Sequence, residues 1–266
     1  MDKLAVILPS RGLMFSETFE ELLRELKDFR YEIFWAHEKP LPRCFNDPTE
    51  AALADPDVFA LLFCEDDMII PKGMLKRMFE MQYPVVAMDY PFRQNGDSTV
   101  LHDPEGKAYW TGTGFMLVAR AVLDRMEKPI WRTDQTFDPF VDQDTIHFWP
   151  RKLDKVFYGL HDLNFGLMLY SAGLPVLPMA QTGGQRKLLK MGARHTNNGA
   201  HEIMELTEVG RDVVSGMVDQ ENIQLFLGAM NRVKNVKVWT EIPPFISYDK
   251  DNQPYLNDGR EFSRVR

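Results

Sequence analysis

The sequence predicts an α/β protein, a mostly parallel sheet flanked by helices, with a helical C-terminal region. Two observations carry that prediction. Through the first third of the chain, short apolar runs alternate with stretches of helical period, the pattern of strand–helix–strand units. Each run is too short for a helix and is bounded by Pro, Gly or Asp, as buried parallel strands are. At 266 residues the chain can bury a sizeable core, as one large domain or two intimately packed halves. Residues 1–110 and 111–200 are expected to form two halves of one domain, and 201–266 a helical extension and tail.

Residues 4–8, Leu-Ala-Val-Ile-Leu, make the first strand, closed by Pro9-Ser10-Arg11-Gly12. Ser16 has the chemistry of a helix N-cap, and Glu17, Glu20 and Glu21 suit the positive end of the helix dipole. Phe19, Leu22, Leu23 and Leu26 then recur on one helical face. Residues 31–36 give a second strand, after which Pro40 and Pro42 interrupt the chain. Asn46-Asp47-Pro48-Thr49-Glu50 opens a short helix with Pro near its first turn. The third strand runs over residues 58–64. A helix over 72–82 and a strand over 85–88 follow.

Residues 89–106 carry Pro, Gly, Asn and Asp and predict a loop over any site. Residues 109–119 are strand-like around Thr111-Gly112-Thr113-Gly114, and 121–126 form a short helix. The stretch 137–157 is rich in aromatics and Asp with no clean period. A helix over 162–172, ended by Gly173, leads to a strand over 175–179. Residues 181–200 are loop-like. Helical patterns return over 200–233, where Ile223, Phe226, Leu227 and Met230 form a stripe suited to a core or a subunit contact.

The chemistry concentrates after the third strand, where Glu65-Asp66-Asp67 ends an apolar run and Met68-Ile69-Ile70-Pro71 resumes it. Three adjacent acids repel one another, so a positive partner is expected beside them. Carboxylate oxygens suit Mg²⁺ or Mn²⁺, ions that commonly bridge a protein to phosphate. In open α/β sheets, ligands sit outside the carboxyl ends of the strands. The plainer alternative is an acidic turn in solvent.

Composition excludes other classes. A net charge of −8 argues against a general nucleic-acid binder, although Arg186, Lys187, Lys190 and Arg194 make a basic segment fit for one anionic ligand. The cysteines, Cys44 and Cys64, imply no disulfide scaffold, and Cys64 suits a small buried thiol. No apolar run approaches the length of a bilayer span, and the opening run is too short for a signal-peptide core. A cytoplasmic protein without its own membrane segment is therefore expected.

Taken in order, these segments resemble the GT-A fold, nucleotide-sugar-dependent glycosyltransferases, closest to the inverting, family-two-like kind with a single compact catalytic domain. The match runs over residues 4–195. Pro9, Ser10 and Arg11 resemble the opening that holds the nucleotide base, and Arg43 with Asn46 the helix before the metal strand. Glu65-Asp66-Asp67 resembles the DxD motif, with Glu65 at its first position and Asp67 at its last. Gly159-Leu160-His161-Asp162-Leu163-Asn164 resembles the Glu-Asp motif that starts a helix on the acceptor side. There are departures: Glu65 stands for Asp, His161 for Glu, and Asn164 where a second Asp is common. The Gln-x-x-Arg-Trp signature of processive synthases is absent, since Gln185-Arg186 lacks its spacing and its Trp.

The resemblance implies a GT-A-like, Rossmann-type sheet whose first half binds a nucleotide sugar, UDP-linked, and whose second half binds an unidentified hydroxyl acceptor. It implies Mn²⁺ or Mg²⁺ held by Glu65, Asp67 and His195, neutralising the leaving diphosphate. Asp66, Lys187 and Arg194 would add contacts to the donor. Asp162 would take the acceptor's proton. Trp110, Gly112, Gly114 and His161 would line the acceptor side. Other readings stand beside these. Asp162 also suits a plain helix N-cap, and His161 and His201 rival His195. Asp89, Asp142 and Asp144 are reserve carboxylates. A sugar nucleotidyltransferase also fits, though the single Gly in Pro9-Ser10-Arg11-Gly12-Leu13 disfavours it, as does a non-catalytic nucleotide-binding module.

Overall fold

The computed structural model describes residues 2–10, 14–37, 39–90, 100–103, 105–142, 144–152, 160–179, 234–250 and 254–257. Its centre is a six-stranded sheet built from β1 (Lys3–Ser10), β2 (Tyr31–His37), β3 (Val58–Cys64), β4 (Val85–Met88), β7 (Phe115–Ala119) and β10 (Leu177–Met179). The order is β10-β4-β7-β3-β1-β2. β1 lies parallel to β2 and β3, and β4 parallel to β10, while β7 runs antiparallel to both β3 and β4. The predicted class, a mostly parallel sheet flanked by helices, is the one observed.

Both faces of this sheet are covered, which explains the unbroken apolar runs. Leu4 to Leu8 of β1 are all buried. Leu4, Val6 and Leu8 face a layer that contains Leu22 and Leu26 of α1 (Ser16–Leu26) and Met74 and Met78 of α3 (Met74–Glu80). Ala5 and Ile7 face Cys44 and Phe45 of α2 (Arg43–Leu53), Leu123 of α4 (Arg120–Leu123) and Phe165 of α5 (Leu160–Ser171). The period of two along a strand thus divides its side chains between two cores.

Several boundaries differ from expectation. Ser16 is the first residue of α1, not its cap, and Phe15 occupies the cap position without a side-chain bond. α2 begins at Arg43, because the Pro42 carbonyl accepts from the N–H groups of Phe45 and Asn46; Pro48 therefore lies inside the helix. α5 begins at Leu160, which puts Asp162 in its first turn instead of at its cap. The predicted strand over 109–119 is two strands, β6 (Ala108–Trp110) and β7, separated by residues 111–114. Within the predicted loop over 89–106, β5 (Leu101–His102) pairs with β6.

The stretch without a clean period is a hairpin of β8 (Gln135–Asp142) and β9 (Thr145–Lys152), extended by β11 (Asn235–Val238) alongside β9. β12 (Ile246–Tyr248) and β13 (Pro254–Leu256) form a last small pair. The loop expected over 181–200 and the helices over 200–233 lie outside the described residues. Among the described residues, no helix is long and apolar enough to cross a membrane.

Candidate functional site

Chain order reverses beside the acid loop. From β1 the chain crosses to β2 on one side, and from β2 it returns to β3 on the other, so the order reverses between β1 and β3. That reversal point, at the carboxyl ends of the strands, is where open α/β sheets bind ligands. Pro9 and Ser10 end β1 there, and Glu65, Asp66 and Asp67 follow β3 there.

The acid loop is held from both sides. The Phe15 N–H donates to the Asp66 carbonyl at 3.1 Å, and the Glu65 N–H to the Gly114 carbonyl at 2.9 Å. Behind the acids, α1 grips the chain that leads into α3. Glu21 accepts from the Ile70 N–H at 2.6 Å, and Arg24 donates to the Ile70 carbonyl at 2.7 Å. Buried Glu25 accepts from the N–H groups of Gly73 at 2.8 Å and Leu75 at 3.1 Å. Those N–H groups belong to a helix start that has no side-chain cap of its own, so Glu25 replaces one from a neighbouring helix.

The three acids are not equivalent. Asp67 is fully buried, Asp66 nearly so, and Glu65 is part-exposed. Their charge is felt locally. Burial first, then Glu65, pushes the Cys44 thiol up to about 12, and burial with Glu65, Asp67 and Asp66 raises the Cys64 thiol well above its ordinary value. Both cysteines are therefore protonated packing groups, as the sequence suggested for Cys64.

Two buried side chains lie behind Glu65. The Thr113 hydroxyl lies 3.1 Å from Glu65 Oε1 and 3.3 Å from His161 Nε2. His161, on the first turn of α5, is buried with its ring 4.6 Å from Phe45 and 6.1 Å from Trp131. Asp162 follows it, with Oδ1 accepting from the Leu163 N–H at 2.8 Å. One turn further on, Gly166 lies on the same helical face as Asp162. A Cβ on Gly166 would stand 2.5 Å from the Trp110 Cα, so only glycine lets β6 press against α5. Trp110 is thereby held against the Asp162 face.

Gly114 is closely packed by the protein itself. A Cβ there would meet Met68 Sδ at 2.6 Å and the Tyr90 ring at 2.7 Å, and Tyr90 Oη accepts from the Gly114 N–H at 3.0 Å. The room above Gly114 is filled by the protein itself. Thr111 and Thr113 beside it are buried.

Asn46 holds scaffold. Its Oδ1 accepts from the Trp131 N–H at 3.0 Å and its Nδ2 donates to the Trp131 carbonyl at 2.8 Å. Asn164 of α5 donates to the carbonyls of Arg132 and Gln135, both at 2.9 Å. Between these clamps, the Trp131 ring lies 4.3 Å from Phe165, 4.9 Å from Phe63 and 5.0 Å from Phe45. Trp131 and Glu25 had no signal in the sequence, and Thr113 stood out only as part of the Thr-Gly-Thr-Gly segment, because their importance comes from contacts made far along the chain.

The remaining expected residues are spread more widely. Arg43 is exposed and paired with Asp47 at 3.2 Å; Lys39 shares that carboxylate at 2.8 Å. Asp89 follows β4 at the same sheet edge, its N–H donating to the Met179 carbonyl. Asp142 ends β8, and the Asp144 carbonyl accepts from the N–H groups of Lys234 and Asn235, tying that hairpin to β11. Arg11, Lys187, Arg194, His195 and His201 lie outside the described residues. Among the described residues, no group of three His, Cys, Asp or Glu side chains is arranged to hold a metal ion. The oxygen donors of Glu65 and Asp67 nonetheless suit a hard divalent cation, and the third expected donor, His195, is outside that set.

No protein-family model and no curated protein matches the chain. Three solved structures resemble parts of it. Protein A197 from STIV is 19% identical, with 49% of this chain and 71% of that chain covered and a TM-score of 0.38. A Drosophila β-1,4-galactosyltransferase 7 in complex with manganese, UDP-Gal and xylobiose is 15% identical, with 73% and 74% covered and a TM-score of 0.42. The 4-diphosphocytidyl-2C-methyl-D-erythritol synthase of Anaerococcus prevotii is 10% identical, with 46% and 73% covered and a TM-score of 0.28.

Proposed function

We propose that the chain is a glycosyltransferase that moves a sugar from a UDP-linked donor to an acceptor hydroxyl. One observation supports this reading above the others. An acid cluster and the first turn of α5 meet through Thr113 at the carboxyl edge of the sheet. Donor diphosphate and acceptor need that juxtaposition of a cation-binding group and a second carboxylate.

Glu65 and Asp67, with His195, would hold Mn²⁺ or Mg²⁺. Bound there, the ion would supply Lewis-acid neutralisation of the diphosphate. The chain's own residues do the rest. Pro9, Ser10 and Arg11 would take the base side, and Asp66, Lys187 and Arg194 would contact the donor. Asp162 would take the acceptor's hydroxyl proton as that oxygen bonds to the sugar's anomeric carbon and the bond from that carbon to the diphosphate breaks, releasing UDP. Trp110, held against the same face of α5, offers an indole for a sugar ring to stack on.

A thermal-shift and calorimetric screen tests this directly. UDP, GDP and other nucleotides are titrated into the full chain with Mn²⁺ and again with chelator. The reading requires a uridine nucleotide to bind much more tightly with the metal, since the bare acids repel phosphate. Equal affinity under both conditions overturns it. Transfer from UDP-sugars to simple glycoside acceptors then tests the reaction itself.

A further inference from the structure

The geometry points to Thr113 as the residue that positions Glu65, a role that rests on the transferase reading above. The antiparallel direction of β7 is what brings its leading loop to the carboxyl edge of a sheet whose other strands run the opposite way. Cys64 pairs with Phe115, and the Glu65 N–H bonds the Gly114 carbonyl, so the two backbones stay in register past the strand ends. Thr113 is thereby fixed beside the Glu65 side chain.

Counting protons gives the bonds a direction. An ionised carboxylate only accepts, and a hydroxyl donates one proton while still accepting. Thr113 Oγ1 therefore donates to Glu65 Oε1 at 3.1 Å. With the hydroxyl proton on Glu65, the 3.3 Å contact with His161 takes the tautomer whose Nε2–H donates to Oγ1. The chain reads His161 to Thr113 to Glu65. At its far end the imidazole is packed among Phe45 and Trp131, and Thr113 is 1% exposed. Glu65 is thus tied through one buried hydroxyl to the rigid body of α2 and α5.

This tether answers a specific need. Glu has one more rotatable bond than Asp, so a Glu at the first acidic position has more side-chain freedom to lose on binding. A metal or phosphate site works best when its donors are already oriented. Thr113 supplies that orientation from behind, as outer partners of metal-binding carboxylates do.

The test is calorimetry of UDP with Mn²⁺ on the full chain, for wild type, Thr113→Val and Thr113→Ser, with melting of each unliganded protein. Val keeps the shape and removes the hydroxyl; Ser keeps the hydroxyl. Loss of such an outer partner costs about 10–100-fold in metal affinity, so Val is expected to bind that much more weakly and Ser nearly as wild type. A purely structural threonine would lower the melting temperature of Val and leave affinity unchanged, which overturns the inference. Ser binding as weakly as Val overturns it too. If wild type binds UDP no better with Mn²⁺ than with chelator, the transferase reading fails first, and this role fails with it.

Discussion

Replacing Asn46 separates a ligand contact from a scaffold clamp. Its amide makes two bonds to the backbone of Trp131, a residue 0% exposed, at 3.0 and 2.8 Å. Asn46→Ala leaves a buried N–H and a buried C=O without those partners. Each such loss costs about 1–3 kcal/mol, so the variant should be less stable by about 2–6 kcal/mol. For a chain of this size, that corresponds to a melting temperature lower by roughly 4–24 °C. Asn46→Asp, of equal size, should also destabilise, because a carboxylate oxygen would face the Trp131 carbonyl; a pure cavity effect predicts no loss there. Urea unfolding followed by Trp fluorescence measures the difference. Nucleotide affinity of the folded variants is expected to stay close to wild type. An Ala variant within about 0.5 kcal/mol of wild type that nonetheless binds nucleotide much more weakly would refute the clamp and return Asn46 to the donor site.

Three further outcomes are expected. Glu25→Gln exchanges one of two carboxylate oxygens, bonded to the Gly73 and Leu75 N–H groups, for an amide donor; it should cost about 1–3 kcal/mol in urea unfolding, and an unchanged midpoint would show that α3 does not depend on this borrowed cap. Asp67→Asn should abolish the metal dependence of UDP binding, read by calorimetry with Mn²⁺ against chelator; retained dependence moves the metal elsewhere. Asp162→Asn keeps an acceptor for the Leu163 N–H, and the charge it removes near a helix N-terminus is worth less than about 1 kcal/mol there. Turnover with a saturating acceptor should still fall by roughly 10²–10⁴. Full activity in that variant assigns the base to another carboxylate, with Asp142 and Asp144 next to be tested.

Much of the sheet was legible because burial on both faces leaves a local mark. β1, β3 and β4 appear in the sequence as unbroken apolar runs, and α1 as a regular stripe of Leu and Phe. The hairpin β8–β9 was not legible. Its strands carry Pro139 and Pro150 and join a small three-stranded sheet, so no two-residue period stands out. Helix starts were misplaced for a related reason. Ser16 has capping chemistry but is already helical, and α3 takes its cap from Glu25, a residue of another helix.

The site divides along the same line. Glu65-Asp66-Asp67 announces itself because three charges interrupting an apolar run have no packing explanation. What holds them does not, since Thr113 looks like any small polar residue between two glycines. Its meaning comes from the direction of β7. Had that strand run parallel to its neighbours, its leading loop would lie at the opposite edge of the sheet, far from the acids. Reversing one strand gives the carboxyl edge a loop that enters β7 among the loops that leave the other strands. Through it, the hydroxyl of Thr113 reaches both Glu65 and the first turn of α5. The glycine at 114 suits the same construction: the Met68 and Tyr90 side chains close over it, and a side chain there would have to displace them. The Thr-Gly sequence is therefore best understood as the joint between the two carboxylate-bearing elements, made by the hydroxyl at 113.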